Sequence, residues 1–327
     1  MVAGVVMAVL LPVCAGFVVH YGYLTNYTTV TFSEEGFREQ YENDVYSYRP
    51  LSREFLLLLH DWFDRKVHAL DRLLLPHRLL DLDEQADATF YHMYAWTRIV
   101  GLVLFSSFLW LLLGLRRFAL SLRGRIAAVG GFLLLLALSM FVVTPYDVWS
   151  WASIIASFLL LLSEEQRHRW LLPLLLFLAT MNHESSILIL AVLGTVLWEE
   201  GGMHALRSPL LWLSVLAFVL PYFGVRLLTD GWAVHSRVLF PDNILAAPAA
   251  GVAISALFIV SLTSLAFAVS SSSERLVVYT TLALPWIAGV LLFGILWELR
   301  LWSTYLIPLF LFALLPMEGD DRRGLSR

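Results

Sequence analysis

The chain has 327 residues, 59% of them hydrophobic and 15% charged, with a formal net charge of −4. So apolar a chain cannot cover itself with polar side chains, which excludes a soluble globular protein and requires much of its surface to face lipid. Thirteen of the 26 acidic residues fall between Glu34 and Asp87, and no basic patch interleaves with aromatics, which excludes nucleic acid as a partner.

Ten apolar runs read as membrane helices: 2–20, 95–115, 126–143, 148–162, 170–181, 185–198, 210–228, 247–269, 276–296 and 302–315. A full span needs about 20 apolar residues. The fourth, fifth and sixth runs are short and read as half-helices or tilted pairs that line a cavity. The first lacks a basic leader and a small-x-small cleavage site, so it reads as a retained helix and not a removable signal. Leu11-Pro12-Val13-Cys14 is only superficially a lipoprotein box, because Val13 stands where a small residue is needed. Cys14 is the only cysteine, which rules out an intrachain disulfide and a cysteine-cluster metal site.

The long first loop, 21–93, is the one sizeable segment outside the spans. Asn26-Tyr27-Thr28 matches a glycosylation acceptor, a motif common by chance. Glu42 and Asp44 end an acidic stretch, and either suits a general base towards an acceptor hydroxyl. Arg49, fixed beside Pro50, offers a planar fork to a phosphate. Asp44 and Arg49 are the preferred pair, since Tyr46 and Tyr48 surround them; a solvated acidic loop is the alternative. Ser52 is positioned to cap a following helix that has Glu54 in its first turn. Apolar residues from Phe55 to Leu74 recur at three and four, which predicts an amphipathic helix lying in the interface plane or packed over its neighbours. Pro76 ends it, and 81–87 is an acidic solvated stretch.

Further along, the turn Thr144-Pro145-Tyr146-Asp147 joins two short runs, with Asp147 available either as a helix cap or as a site residue. Asn182-His183-Glu184 interrupts an otherwise continuous apolar stretch. Its helix N-terminus favours an anion, His183 can bond a phosphate or move a proton, and Glu184 can orient a base or a sugar hydroxyl. Capping by Asn182 with Glu184 as a first-turn acid explains part of that motif but leaves His183 without a role. Asp230 marks a further polar junction. In Glu298-Leu299-Arg300 the two charges are two residues apart, which on an ideal helix turns them to different sides, so they need not pair with each other. Each is free to pair with a ligand or, as an interhelical ion pair, with another helix. Arg300 suits a phosphate or pyrophosphate. His60 and His68 are too weak a pair for a metal site, and no P-loop, nucleophile elbow or dinucleotide fingerprint occurs.

With a cytoplasmic N-terminus, the inner loops and tail hold eleven arginines against three in the short outer loops (Arg226, Arg237 and Arg300). That bias puts both termini inside an inner (plasma) membrane, with tryptophans near the run ends as an interfacial belt. All the polar junctions then fall on the outer face. Charge at membrane depth is costly, so their convergence predicts one shared outward site. The expected architecture is an all-α polytopic membrane protein of about ten helices, a single transmembrane domain over 1–327. It divides into an outer loop with its interfacial helix (21–93), a helix bundle (95–315) and a cytoplasmic tail (316–327).

An early acidic outer loop, Tyr48-Arg49-Pro50-Leu51, the 55–74 helix, Asn182-His183-Glu184 and Glu298-x-Arg300 together resemble the GT-C superfamily of polyprenyl-phosphate-sugar glycosyltransferases, in its small bacterial form. The resemblance covers most of the chain in layout and a few residues in motif. It lacks the soluble C-terminal domain of larger members and a plain Asp-Asp or Asp-Glu pair after the first helix. It implies sugar transfer from a lipid-linked donor to a glycan or lipid acceptor on the outer face, with membrane lipids as further partners. Asp44, Glu42, His183 and Glu184 would be catalytic; Arg49, Tyr146, Asp147, Asn182, Glu298 and Arg300 would bind substrate and phosphate. A divalent cation is the one cofactor candidate, and no metal ligands are assigned. The competing readings are an O-antigen polymerase or ligase, whose large outer loop usually comes late, and a lipid or solute transporter, for which no internal repeat is visible. A structural assembly subunit is a third.

Overall fold

The computed structural model describes residues 2–23, 35, 38, 49–64, 88–140, 144–228, 249–294, 296 and 298–316, and no strand occurs among them. Residues 26–28, Glu42, Asp44, Asp230, Pro76, the 81–87 stretch and the part of the 55–74 helix beyond Asp64 lie outside the described residues. Eleven helices follow in chain order among the described residues: α1 Val2–Gly22, α2 Pro50–Asp64, α3 Ala88–Leu112, α4 Leu122–Ser139, α5 Asp147–Leu162, α6 Leu172–Asn182, α7 Ile187–Gly201, α8 Pro209–Leu228, α9 Ala249–Val269, α10 Ser273–Phe293 and α11 Leu299–Leu314. Ten coincide with the apolar runs, and α2 is the helix of the first loop.

Among the described residues, seven stretches are long and apolar enough to cross a membrane: α1, Phe90–Leu112, α4, Glu184–Arg207, α8, Val252–Val269 and α10. The short sixth run is therefore longer than expected, because 3-10 turns extend α7 at both ends. By contrast, α5 and α11 have 16 residues each and α6 has 11. These three short helices all carry residues of the polar cluster described below.

Local sequence explains several element boundaries. Pro50 begins α2, where its missing N–H costs nothing. Ser52 therefore lies inside the helix, buried and with no partner for its hydroxyl, and does not cap it. Leu56, Leu57 and His60 of α2 are buried, whereas Phe55, Leu58 and Trp62 stay exposed, so the helix both packs over its neighbours and keeps an apolar outer face. In α1, Pro12 falls in the first turn of an α segment that follows a π turn, where the Leu11 N–H bonds Val6 O. The switch of pattern puts the proline where no bond is lost.

α3 packs against both α1 and α5. Two glycines permit this closeness: a Cβ on Gly16 would stand 2.6 Å from Ile99 Cγ1, and one on Gly101 2.6 Å from Val148 Cγ2. Small residues at helix crossings are the usual route to tight packing in lipid. α6 lies on α8, α7 on α10, and α9 on α11. The helix ends form two polar layers. At one, Arg169 is bidentate to Glu200 (2.9 and 2.7 Å) while Arg275 bonds Glu199 and the carbonyls of Phe312 and Leu315. These arginines are thus buried clasps, Arg169 closing the C-terminal end of α5 through Leu161 O and Arg275 that of α11, not plain connector charges. The other layer holds the candidate site.

Candidate functional site

Tyr146, fully buried in the turn before α5, is the hub of this layer. Its ring stacks on the imidazole of His183, 4.5 Å between centroids and 26° between planes. The Arg49 guanidinium sits 4.2 Å from the centre of the same ring. Arg49 also forks onto Glu184, Nε to Oε2 at 3.2 Å and Nη2 to Oε1 at 2.6 Å. The Tyr146 hydroxyl accepts from Arg300 Nη1 at 3.1 Å, and its carbonyl accepts from Asn182 Nδ2 at 2.9 Å. Four separate segments therefore meet at this one residue: its own turn, the start of α2, the α6–α7 break and the start of α11.

The break between α6 and α7 is built by His183, whose extended backbone (φ −164°, ψ 141°) ends one helix and starts the next. Its N–H closes α6 on Ala179 O, and its Nδ1 accepts the Ser185 N–H at 3.0 Å. The cap is therefore His183 and not Asn182, which instead ties α6 to α5 through Tyr146 O and Ser150 Oγ. An accepting Nδ1 carries no proton, so the neutral ring has its hydrogen on Nε2, 3.8 Å from Glu184 Oε1. Burial, reinforced by Arg49 and only partly opposed by Glu184, holds His183 well below the usual histidine range. His183 is thus placed to donate a hydrogen bond from Nε2, not to accept a proton there.

Asp147 is the first residue of α5, with Tyr146 in the cap position and no side-chain cap bond. Its carboxylate takes the Thr144 hydroxyl and lies 3.6 Å from Arg300 Nη1, so it serves the cluster and not the helix end. Glu298 precedes α11 in an extended conformation (φ −77°, ψ 101°), which lets Arg300 turn back to it through Nε at 2.9 Å and Nη2 at 2.7 Å. The two pair because helical spacing does not apply before the helix begins, while Arg300 also reaches across to Tyr146 and Asp147. Burial raises Glu298 above the ordinary glutamate range despite the neighbouring Arg300.

Eight predicted residues are described and all share this layer: Arg49, Tyr146, Asp147, Asn182, His183, Glu184, Glu298 and Arg300. Glu42 and Asp44 lie outside the described residues. Others escaped the sequence reading. Arg226, buried and stacked 3.7 Å above the Tyr222 ring, acts electrostatically on His183 and Glu184. Trp286 of α10 meets His183 edge-on at 6.1 Å. Arg98, fully buried in α3, bonds Tyr94 Oη at 2.7 Å and Met140 O at 3.2 Å. An arginine inside an apolar run was itself a signal. Around His183, Asn182 Oδ1, Ser185 Oγ and Trp286 Nε1 are buried without a hydrogen-bond partner. Such unmade bonds cost about 1–3 kcal/mol each and are natural contact points for a polar ligand. No group of three or more metal-ligating side chains occurs among the described residues. No family model, curated protein or solved structure matches the chain.

Proposed function

We propose that the chain is a membrane glycosyltransferase that moves a sugar from a polyprenyl-phosphate donor to an acceptor hydroxyl, with the Tyr146 layer facing the exterior of an inner (plasma) membrane. The carrying observation is the gathering of two arginines, three carboxylates and a neutral imidazole from four segments around Tyr146, with unpartnered polar atoms beside His183. Burying so many ionisable groups near lipid is expensive without a task. An enzyme working on the outer face has no cytosolic nucleotide sugar within reach, which favours a lipid-linked donor.

In the reaction, the acceptor oxygen bonds the anomeric carbon and gives up its proton, the anomeric carbon–phosphate oxygen bond breaks, and the lipid phosphate leaves with that electron pair. Glu298 is the described carboxylate best suited to take the proton, since burial raises it towards neutrality. Glu184 is spent on Arg49 and serves instead to hold the guanidinium in place. Arg300, with the Nε2–H of His183, is assigned to the leaving phosphate. Lipid-sugar turnover in membranes carrying Glu298→Gln, Arg300→Gln or His183→Phe tests the reading. Each variant should lose at least about tenfold, the usual scale for one acid–base or electrostatic group. Unchanged turnover in all three would overturn it, and turnover-free binding with transport into vesicles would favour a transporter.

A further inference from the structure

At the opposite end of the bundle an open groove of about 620 Å³ runs between the start of α1 and the junction of α3 with α4. Val5, Val9, Leu111 and Leu122 line it with apolar side chains that are 40–59% exposed. Its depth comes from Gly4, where a Cβ would stand 3.0 Å from Trp110 Nε1. One charged group borders it. The Arg125 guanidinium lies 4.1 Å over the Trp110 ring and donates through Nη2 to Trp110 O, which orients it at the groove's edge. Its Nε is shielded from solvent and has no hydrogen-bond partner.

The adjoining chain carries charge of one sign. Arg116 and Arg117 on the α3–α4 connection and Arg123 in the first turn of α4 are exposed, and no Asp or Glu occurs between residues 88 and 146. An apolar channel at membrane depth, bordered by an oriented guanidinium and a wholly basic loop, is complementary to one kind of molecule: an anionic amphiphile with a hydrocarbon tail. A protein helix would bury the groove but leave the four arginines unanswered, and a soluble anion would leave the apolar walls exposed. Trp110 adds an amphipathic ring at the level where headgroups lie.

We infer that this groove is a specific site for an anionic phospholipid of the bilayer, one acyl chain lying along Val5, Val9 and Leu111 and the phosphate held by Arg125 with help from the α3–α4 loop. Clusters of arginine beside a membrane helix attract anionic headgroups in general. The built part here is the groove with its oriented Arg125, and this separates a site from mere attraction.

The test is native mass spectrometry of the full chain released from detergent with phosphatidylglycerol or phosphatidylcholine added. The wild type should retain one phosphatidylglycerol in preference to phosphatidylcholine. Arg125→Gln should weaken that retention roughly tenfold, the scale of one charge-assisted bond. Val9→Trp keeps every arginine but fills the groove, so it should abolish the retained lipid, and it carries the test alone if Arg125→Gln fails to fold. Arg117→Gln, distant from the groove walls, should change retention far less. Equal retention of both lipids by the wild type, undiminished retention in Val9→Trp, or equal losses in Arg117→Gln and Arg125→Gln would overturn the inference.

Discussion

Arg49 and Glu184 join the first loop to the α6–α7 break, and removing either charge tests whether the layer is assembled as described. The two bonds at 3.2 and 2.6 Å are charge-assisted, and the side chains are 8% and 23% exposed. Losing one partner of a fully buried pair costs about 3–5 kcal/mol, because the other charge is stranded. Water reaches part of Glu184, so Glu184→Gln or Arg49→Gln should each cost about 2–3 kcal/mol. The double variant strands no charge and should cost clearly less than the sum, giving a coupling energy of about 2 kcal/mol. Thermal unfolding of the purified protein in one detergent measures this, at roughly 2–4 °C per kcal/mol. A coupling below about 0.5 kcal/mol, within ordinary additivity, would mean that the pair does not exist and that Arg49 is not held in the layer.

Glu298→Gln should remove the acid limb of the pH–turnover profile, and in the wild type that limb should have its midpoint above the ordinary glutamate range, because burial raises the carboxyl. An acid limb that persists in Glu298→Gln would assign the base elsewhere. His183 stays neutral in the fold while an unfolded histidine takes a proton below about pH 6.5, so its contribution to stability should be constant above that pH and fall beneath it by up to about 1.4 kcal/mol per pH unit. Melting temperatures of His183→Gln should therefore decline less steeply below that pH than those of the wild type. At the far layer, Arg275→Met strips Glu199 and the α11 carbonyls of their donor and should cost about 3 kcal/mol of stability, while turnover per folded molecule stays at the wild-type level.

The helices were legible because uninterrupted apolar runs leave the backbone no alternative in lipid, and all ten runs meet a helix. Their lengths were less legible. Run 185–198 looked short because Glu184 and the 199–207 segment are polar, yet 3-10 turns carry the helical path through both. For the site, type and rough position of charge were enough to pick eight residues that the fold brings together. Their pairings were not readable, because spacing rules presuppose a helix and Glu298 and His183 sit where helices stop. Arg226 was hidden among loop arginines and Trp286 among apolar neighbours; only tertiary packing turns either towards His183. Arg169 and Arg275 read as topology signals for a similar reason, since no local pattern announces Glu199 and Glu200 as partners from another helix.

Charge balance limits how such a layer can hold a phosphate. Arg49 and Arg300 are each already bonded to a carboxylate, Glu184 and Glu298, with His183 neutral between them. An incoming anion therefore gains either guanidinium only as its carboxylate gives it up. On the proposed reaction Glu298 does so at the useful moment. When it takes the acceptor's proton its negative charge disappears, and Arg300, bonded to it at 2.7 and 2.9 Å, loses its nearest carboxylate and keeps Asp147 at 3.6 Å. In the same step the lipid phosphate gains a negative charge, from diester to monoester. The guanidinium then turns from one to the other with no net charge entering a poorly solvated site, so its stabilisation is delivered to the transition state and withheld from the bound donor. Glu184 has no such freedom, because the same proton would undo the fork that holds the Arg49 guanidinium over Tyr146. The two acids, similar in sequence, are thus separated by what their arginines do once a carboxylate is neutralised.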